Sequence, residues 1–504
     1  MDQAPSSPFD PPVRFETSDA HHERAAALNA RVADDASNEL HDILSGVSPM
    51  ERILLKAAAG AGKSYAIKRL VAEAVAHPKC ARVAITAFKN RQVWPLTVAL
   101  GKSLGKESVC LLSSSDAWAD VPDDAHEHAT VVTTTSQIPA LATVVLATVS
   151  RLSYERTRFR DHLGAGGNGT APFDVLFVDE AWEVAHHLFD QVTWLAPTWV
   201  GVGDVGQLPP LEIGENPWRG DPGYNPYRAW PTDYDDDPRT WTRELPSVWR
   251  PAAGHLGLWR AFYPEWSSLD CVAAPGDRRL DLGTIEGPVA EIWRQVGTGV
   301  PTLLEIDGLP EPEAADVDLP LTQFIEELLD EFFASSPVLV EADYDENAPG
   351  RATGTWTEKR PGGDHADPLV AILATRNQSV DDAEDAVDRL REKFDLTERD
   401  LVASTVDKWQ GQTNGITIAV HPLNGASELD AFNSAFGRLA VACTRATHGL
   451  LMVARPGLDE LLGEAPARPG TPFGEPGTRQ LPRQTHQRIL ATFARGRIDV
   501  SNEG

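Results

Sequence analysis

The sequence predicts an α/β protein in which two successive units are each built on a parallel β-sheet. Short apolar runs alternate with helical or loop segments along the chain, which is typical of parallel strands buried on both faces. The first half carries five such runs, at residues 53–55, 83–86, 144–148, 175–178 and 199–202. The second half carries five more, at 338–340, 369–373, 401–403, 416–420 and 450–453. With 504 residues the chain is too long for one ordinary core, so two or more domains are expected.

A glycine-containing loop after the first apolar run indicates a phosphate-binding site. The loop reads AAAGAGKS over residues 57–64 and leads into a helical pattern that ends at Pro78. Backbone N–H groups and the helix start would face an anion, Lys63 would add a mobile positive charge, and the Ser64 hydroxyl would ligate Mg²⁺. The residues predicted to hold the phosphates are Ala59, Gly60, Ala61, Gly62, Lys63 and Ser64. The usual pattern begins with glycine, whereas position 57 is alanine.

Two adjacent carboxylates, Asp179 and Glu180, follow the apolar run at 175–178. A strand that leaves a parallel sheet at its carboxyl edge would deliver them beside the phosphate loop. Asp179 is expected to hold Mg²⁺, and Glu180 to orient and deprotonate an attacking water. The alternative is a solvated helix start, where acidic residues are favoured in any protein. Gln207 follows the next apolar run and suits the sensing of a γ-phosphate or its water, although that segment alone also fits an ordinary turn.

Composition indicates a globular protein without disulfides or a membrane segment. Hydrophobic residues make up 42% and charged residues 24% of the chain, as in ordinary globular proteins. The four cysteines form no C-x-x-C pair, which argues against a zinc site and a disulfide framework. The N-terminus lacks the features of a signal peptide and no apolar run approaches membrane-spanning length, so a cytoplasmic protein without a membrane partner is expected. The net charge of −29 disfavours a nucleic-acid partner, unless the acidic residues form an outer surface around a neutral or basic channel.

Two segments of the second half have distinct patterns. Apolar residues at helical spacing over 380–394 predict an amphipathic helix capped by Ser379. Residues 343–367 are polar and rich in glycine and proline, which predicts a loop.

Seven segments, in this order along the chain, resemble the sequence motifs of superfamily 1 helicases. They are residues 57–64, 86–90, 179–182, 203–210, 245–250, 404–412 and 438–446. The resemblance covers roughly residues 45–460. The first motif of this family commonly begins with alanine, as it does here. Trp182 stands where the second motif usually has glutamine, and Ala440 stands where the sixth usually has asparagine.

The amino-acid sequences of two motifs favour one branch of the superfamily. GDVGQLPP at 203–210 and RLAVACTRA at 438–446, together with short insertions, resemble the 1B branch, which includes the nonsense-mediated-decay and RecD-type helicases. That branch moves 5′-to-3′ on a single strand. The UvrD-like 1A branch is the alternative, because its sixth motif is similar.

The resemblance implies two tandem RecA-like domains with parallel sheets and a nucleotide cleft between them. It places the first domain at residues 45–242 and the second at 243–460, with a variable insertion at about 255–335. Residues 1–44 would form an N-terminal extension, loose and then helical. Residues 461–504 would form a tail rich in proline and glycine with a short helix.

The implied cleft would bind ATP and Mg²⁺, and residues of the second domain would complete it. Facing the phosphate loop, Arg445 would be an arginine finger and Arg250 a second one. Gly411 and Arg438 would also contact the nucleotide. Arg438 and Arg445 lie seven residues apart, two helical turns, so they are expected to share one helix face. The alternative for two arginines on a helix is a solvated or ion-paired face.

A single nucleic-acid strand, DNA more readily than RNA, would cross the carboxyl edges of both sheets. Hydroxyl groups at strand ends would bind its phosphates, and two aromatic side chains would stack on its bases. The residues concerned are Thr86, Phe88, Thr148, Ser150, Thr405 and Trp409. For Phe88 and Trp409, packing in the core is the preferred alternative.

These features predict an ATP-dependent helicase or translocase with Glu180, Gln207, Arg250 and Arg445 as catalytic residues. One alternative is a P-loop ATPase that switches a partner without moving along nucleic acid. Another is the motor subunit of a larger repair or anti-phage complex, in which a protein partner would supply a nuclease or loading function. The adenine-reading glutamine of the family is not evident between residues 38 and 52, so a preference for ATP follows from the resemblance alone.

Overall fold

The computed structural model describes residues 8–18, 20–155, 158–206, 210, 223, 225–266, 268–314, 317–345, 348–430, 432–465 and 482–500. The fold is mixed α/β with large parallel sheets, which confirms the predicted class. The strands of the described chain are β1 (Phe9–Asp10), β2 (Arg52–Ala57), β3 (Val83–Ala87), β4 (Val109–Leu112), β5 (Thr130–Val132), β6 (Val144–Thr148), β7 (Val175–Asp179), β8 (Thr198–Asp204), β9 (Thr240–Leu245), β10 (Ser247–Val248), β11 (Asp270–Cys271), β12 (Arg278–Asp281), β13 (Thr302–Asp307), β14 (Val338–Tyr344), β15 (Ala352–Lys359), β16 (Val370–Ala374), β17 (Leu401–Thr405), β18 (Asn414–Val420), β19 (Ala446–Ala454) and β20 (Ala494–Asp499). The helices are α1 (Glu23–Ser45), α2 (Lys63–Ala76), α3 (Asn90–Leu104), α4 (Asp123–His128), α5 (Val149–Tyr154), α6 (Arg158–Leu163), α7 (His186–Phe189), α8 (Leu256–Phe262), α9 (Pro288–Gly297), α10 (Leu319–Ala334), α11 (Asn377–Phe394), α12 (Val406–Trp409), α13 (Phe436–Cys443), α14 (Leu458–Glu464) and α15 (Pro482–Leu490).

Eight strands form the first sheet, in the order β5-β4-β6-β3-β7-β8-β2-β9, and every neighbouring pair is parallel. The central strands are buried on both faces, which is why their sequences are continuous apolar runs. The register aligns Ala57 with Asp204 and with Leu245, so β2, β8 and β9 end at one carboxyl edge. The domain boundary expected at 242–243 falls inside β9, which pairs with β2 through Leu245.

Seven strands form the second sheet, in the order β1-β20-β13-β19-β18-β16-β17. Its neighbouring strands are parallel except for β1, which runs antiparallel to β20. Because Phe9 pairs with Gly496, segments near both ends of the chain meet in this sheet and extend it beyond the range 243–460. Four of the five apolar runs of the second half lie in it, as β16, β17, β18 and β19.

The fifth run, 338–340, begins β14, which belongs to a separate antiparallel sheet in the order β12-β14-β15. Strand β15 lies within 343–367, so the prediction of a loop there is wrong. All residues of β15 except the last are exposed. The strand therefore has no buried apolar face, and its sequence lacks the pattern that would identify it. A parallel pair, β10-β11, is the fourth sheet among the described residues.

One continuous apolar core connects the two large sheets. It contains residues of β2 and α2 beside the first sheet and residues of β19 and α13 beside the second, together with residues of α8. The opposite face of each large sheet has a core of its own. All four cysteines are buried. Of the helices that the structure describes, none has both the length and the apolar character needed to cross a bilayer.

Candidate functional site

The phosphate loop connects β2 to α2 at the carboxyl edge of the first sheet. Strand β2 ends at Ala57 and α2 begins at Lys63. Between them, Gly60 (φ 75°) and Gly62 (φ 90°) adopt the left-handed conformation that favours glycine. In the first turn of α2 the Tyr65 and Ala66 N–H groups donate to the Gly62 carbonyl, which leaves the N–H groups of Lys63 and Ser64 to receive an anion.

Lys63 lies among three carboxylates at this edge. Its ammonium nitrogen is 3.1 Å from Glu180 Oε1, and each of the two side chains is 13% exposed. Burial alone would lower the pKa of the lysine. The negative charges of Glu180, Asp204 and Asp179 outweigh burial and raise that pKa above its ordinary value. The site therefore holds a charged lysine, for which a ligand phosphate would compete with Glu180.

Asp179 is the last residue of β7, and Glu180 begins the turn that follows. The Glu180 backbone is left-handed (φ 49°, ψ 47°), which is uncommon for a residue with a side chain and is often found at functional sites. Its N–H donates to Asp179 Oδ1 over 3.0 Å. Burial and the charge of Glu180 raise the pKa of Asp179, although Lys63 opposes them. Two acidic groups are therefore held close together in a buried place.

The oxygen donors at the site suit a magnesium ion shared with phosphates. Ser64 is exposed in the first turn of α2. Asp179 is the last residue of β7 and lies at the same carboxyl edge of the sheet. Mg²⁺ is commonly bound by one or two protein oxygens together with phosphates and water. A divalent cation would also relieve the crowding of Asp179 against Glu180, which raises the pKa of Asp179. The residues present therefore fit the ion.

Arg250 and its neighbour pack directly on the phosphate loop. The Trp249 N–H donates to the Gly60 carbonyl over 2.8 Å, and a Cβ on Gly60 would lie 2.4 Å from the Arg250 Cβ. The Arg250 guanidinium donates to the Thr444 carbonyl over 3.1 Å. Burial, and then the positive charge of Arg445, lower the pKa of Arg250 to about 9. Arg250 thus bridges the loop and the segment that carries Arg445.

Arg445 is almost completely buried, with 1% of its surface exposed. Burial lowers the pKa of Arg445, and the negative charges of Asp204 and Glu180 act in the opposite direction. The same two carboxylates raise the pKa of Lys63 and oppose the lowering of the Arg250 pKa. The negative charges of Glu180 and Asp204 therefore act on three cations from distant parts of the sequence.

The remaining residues predicted to contact the nucleotide or its attacking water are Gly411, Arg438 and Gln207. Helix α13 ends two residues before Arg445, so the prediction that Arg438 and Arg445 share a helix face is wrong. Arg438 instead pairs with Asp407 over 3.2 Å. Gly411 (φ 85°) follows α12 at a position where a Cβ would meet nothing within 4 Å. Gln207 lies outside the described residues.

Of the four hydroxyl groups predicted to bind nucleic acid, two cap helices, one is buried and one is exposed. Thr86 is fully buried in β3, so its predicted contact with a strand does not match this arrangement. Thr148 and Thr405 cap α5 and α12, because their hydroxyl oxygens accept backbone N–H groups from the first turns of those helices. Ser150 is exposed on α5 and is free to meet a ligand from solvent.

The two aromatic residues of the predicted strand path are partly buried. Phe88 packs against the core on one face of the first sheet, and Trp409 packs against the core that connects the sheets. The Trp409 indole N–H donates to Asn414 Oδ1 over 3.0 Å. These contacts agree with core packing, the preferred alternative for both residues.

Tyr263 and Trp259 support the loop through contacts that sequence reasoning missed. The Ala59 N–H donates to the Tyr263 hydroxyl over 3.0 Å, and the Trp259 indole N–H donates to the Ala59 carbonyl over 2.8 Å. The Tyr263 hydroxyl donates in turn to Asp204 Oδ1 over 2.7 Å. Since Ala59 and Tyr263 are 204 positions apart, no local pattern marks the pair.

Asn29 on α1 also contacts the loop. Its amide group donates to the Ala61 carbonyl over 2.9 Å and to the Ser247 carbonyl over 2.7 Å, and it accepts the Ser247 N–H over 2.9 Å. Helix α1 thereby joins the loop to β10, just before Arg250. A signal for this role exists in the sequence, since Asn29 is a polar residue on the buried face of α1, which also contains Ala25, Ala33 and Leu40.

Comparison with known proteins gives only distant similarity. No family model matches the chain, and no curated protein matches it. The PRRSV helicase is 14% identical with a TM-score of 0.36, over 85% of this chain and 58% of the helicase. Arterivirus nonstructural protein 10, a helicase, is 13% identical with a TM-score of 0.39, over 84% of this chain and 63% of that protein. The chain spans about three fifths of the length of these proteins, and the similarity is too weak to assign it to a family.

Proposed function

We propose that the chain is an ATP-dependent helicase or translocase of superfamily 1, with two RecA-like domains that correspond to its two large parallel sheets. The observation that carries this proposal is that Arg250 packs on the phosphate loop at Gly60 and donates to the carbonyl of Thr444, the residue before Arg445. A phosphate loop with its lysine binds nucleotide, and arginines from another part of the chain stabilise the transferring phosphoryl group.

Nucleotide binding would begin at the loop and the first turn of α2. The Ala59 and Ala61 N–H groups already donate to the Tyr263 hydroxyl and the Ala58 carbonyl. The N–H groups of Gly60 and Gly62 and the N-terminus of α2 would therefore bind the phosphates of ATP, and Lys63 would bind their outer oxygens. Ser64 and Asp179 would hold Mg²⁺, which supplies positive charge to the phosphates when bound. The phosphates would also compete for Lys63, which is paired with Glu180 at 3.1 Å.

Hydrolysis would follow once Glu180 is released from the lysine. Its carboxylate would then accept a proton from the attacking water. Arg445 and Arg250 would donate hydrogen bonds to the phosphoryl oxygens as negative charge develops on them. Gln207 would orient the same water.

Rearrangement of the two sheets would couple hydrolysis to a single strand of nucleic acid lying along their carboxyl edges. Lys89, after β3, donates to Gln410 Oε1, after β17, over 3.2 Å, so these edges already meet. We propose movement in the 5′-to-3′ direction, on DNA in preference to RNA. Among the hydroxyl groups predicted to bind strand phosphates, the exposed hydroxyl of Ser150 remains a candidate.

The test is the steady-state rate of ATP hydrolysis with and without single-stranded DNA and RNA. Stimulation by a single strand is expected for the wild type. Lys63→Ala is expected to abolish hydrolysis, because the phosphates lose their positive partner. Glu180→Gln is expected to bind ATP and fail to turn it over, since the amide accepts no proton. Normal turnover by that variant would exclude Glu180 as the base.

The net charge of −29 favours a second candidate, a P-loop ATPase that switches a protein partner or drives a larger complex without travelling on nucleic acid itself. Its acidic surface would repel a phosphate backbone. Hydrolysis that requires Lys63 but shows no response to either nucleic acid, at low as well as high salt, would support this candidate.

A further inference from the structure

Side chains from both large sheets meet at the carboxylate of Glu183. Gln92 on α3 donates to Glu183 Oε2 over 2.8 Å, and Gln410 after α12 donates to Glu183 Oε1. The Lys89 ammonium nitrogen lies 3.8 Å from Glu183 Oε2 and donates to Gln410 Oε1 over 3.2 Å. The four side chains form a closed network that crosses from the first sheet to the second.

Burial makes Glu183 sensitive to the loss of a donor. Its side chain is 7% exposed, whereas that of Lys89 is 43% exposed. Burial and the charge of Glu180 also raise the pKa of Glu183. A buried carboxylate that loses a hydrogen-bond donor is destabilised much more than an exposed one. The position of Glu183 therefore depends on the groups that donate to it.

A short turn joins Glu183 to the proposed base. Ala181–Glu183 form a single turn of 3₁₀-helix, and the Glu183 N–H donates to the Glu180 carbonyl over 2.8 Å. This turn holds Glu180 in its left-handed conformation. A change in the partners of Glu183 is thus transmitted to the Glu180 carboxylate.

The segment around Gln410 also reaches the proposed arginine finger. The Arg445 guanidinium donates to the Gln412 carbonyl over 3.5 Å, two residues after Gln410. The bond between Glu183 and Gln410 therefore fixes the turn after Glu180 and the segment next to Arg445 relative to each other.

The exposed end of the network lies where a nucleic-acid strand would pass. Lys89 caps α3 directly after β3, and Gln410 caps the end of α12 after β17, so both lie at carboxyl edges of the sheets. A partly exposed ammonium group attracts a phosphate backbone. A phosphate bound there would compete with Gln410 and Glu183 for the Lys89 ammonium group.

We infer that Glu183 is a positioning residue through which a bound single strand controls the rate of ATP hydrolysis at Glu180. This inference rests on the proposed function and adds the route of its regulation. A strand phosphate withdraws Lys89 from the network, and Glu183 then relies on Gln410 as its donor from the second sheet. That bond holds the two sheets in the arrangement in which Glu180 and Arg445 act on one phosphate.

The test is the stimulation ratio of the full chain, the rate of ATP hydrolysis with saturating single-stranded DNA divided by the rate without it. Glu183→Gln and Gln410→Ala are each expected to lower this ratio about tenfold, and the double variant is expected to lower it no further. Gln92→Ala is the matched control, because it removes an amide donor from the same carboxylate without breaking the bond between the sheets. Loss of this donor is expected to change the rates with and without DNA alike, because the bond between the sheets remains, so the ratio stays near that of the wild type.

An exchange of the side chains at positions 183 and 410 distinguishes loss of the bond between the sheets from a general loss of structure. In the variant with E183Q and Q410E, the amide and the carboxylate exchange places, and the new carboxylate lies beside Lys89. This variant is expected to recover most of the ratio, with thermal unfolding to confirm that each protein is folded. The inference would be overturned if both single variants kept the wild-type stimulation ratio. It would also be overturned if the ratio of the E183Q and Q410E double variant were as low as that of the single variants. A wild type that hydrolyses ATP without any stimulation would instead overturn the motor function, and the inference with it.

Discussion

At the scale of single residues, Gly60 illustrates how closely the phosphate loop is packed. A Cβ at Gly60 would lie 2.4 Å from the Arg250 Cβ, whereas a Cβ at Gly62 would have its nearest contact, Trp249, at 3.7 Å. Both glycines have positive φ, so alanine at either position is strained by about 1–2 kcal/mol. Only alanine at Gly60 must also displace Arg250.

We therefore expect Gly60→Ala to lower the free energy of unfolding by about 1–3 kcal/mol more than Gly62→Ala does. Urea denaturation without nucleotide measures the difference and avoids the role of either glycine in ligand binding. Gly62→Ala is the matched control, since it carries the same backbone strain without the clash. Equal losses in the two variants would mean that Arg250 does not press on the loop.

Removal of the Tyr263 hydroxyl provides a second test at the scale of single residues. It accepts the Ala59 N–H and donates to Asp204, so Tyr263→Phe removes two buried hydrogen bonds and keeps the ring, which stacks on Trp266. We expect a loss of about 2 kcal/mol in the free energy of unfolding. Tyr154→Phe is the control, because Tyr154 is 73% exposed. An unchanged free energy of unfolding for Tyr263→Phe would show that solvent or another polar group replaces the hydroxyl.

The residues of the candidate site differ in how far sequence could predict them. The loop lysine ends the loop that follows buried strand β2, and the acidic pair lies at the end of buried strand β7, so a local pattern marks both positions. Asp204 and Tyr263 were missed because their contact joins positions far apart in the chain. The only sign of Asn29 is its place on the buried face of α1, and that sign does not reveal its partners. The roles of the predicted site residues remain predictions for the variants above to test.

At the scale of elements, α1 is held to the phosphate loop by one polar residue. Asn29 makes three hydrogen bonds to the backbone of Ala61 and Ser247. Asn29→Ala leaves these backbone groups without that partner and is expected to lower the free energy of unfolding by about 2–4 kcal/mol. Asn38→Ala, at an exposed position of the same helix, is expected to change it by less than about 0.5 kcal/mol. Urea denaturation of both variants decides whether Asn29 docks the helix.

Elements were predictable where burial imposes a pattern. The helix predicted over 380–394 corresponds to α11, Asn377–Phe394, although the residue before it is Arg376 rather than Ser379. Strand β15 could not be predicted, because its exposed residues need no apolar alternation. Strand β14 was predicted as a strand but assigned to the wrong sheet, since an apolar run specifies burial and not the neighbour with which it pairs.

At the scale of the whole molecule, buried histidines make stability depend on pH. Burial lowers the pKa of His255 and of His486 to about 4, compared with about 6.5 in an unfolded chain. Between these values the unfolded chain binds protons that the folded chain does not. The free energy of unfolding therefore falls as the pH drops from about 6.5 to about 4, and this contribution levels off below that range.

His255→Leu tests this dependence. Neither ring nitrogen of His255 has a hydrogen-bond partner among the described residues, so leucine is expected to change stability at pH 7 by less than about 1 kcal/mol. Between pH 6.5 and pH 4, the free energy of unfolding of this variant should fall by about 3 kcal/mol less than that of the wild type. Urea denaturation across this range provides the measurement. His41→Leu, at a side chain that is 52% exposed, controls for loss of a histidine, and an identical acid slope in both variants would contradict the assignment.

The two-sheet architecture was predictable from the sequence, but the path of the chain ends was not. Repeated apolar runs indicated parallel sheets in both halves, and the structure has them. Strand β1 is two residues long and β20 has the polar sequence ARGRID. Neither has a pattern that would identify a strand, because each lies toward the edge of its sheet and obtains its place by pairing.

The pairing of β1 with β20 has a consequence for synthesis on the ribosome. All strands of the first sheet lie within residues 52–245, so that sheet can assemble while later residues are still being translated. The second sheet needs Phe9 and Gly496 together. Strand β1 must therefore stay unpaired until residue 496 has left the ribosome, and ribosome-stalled chains that stop short of β20 should be cleaved by protease at β1 while the first sheet is already resistant.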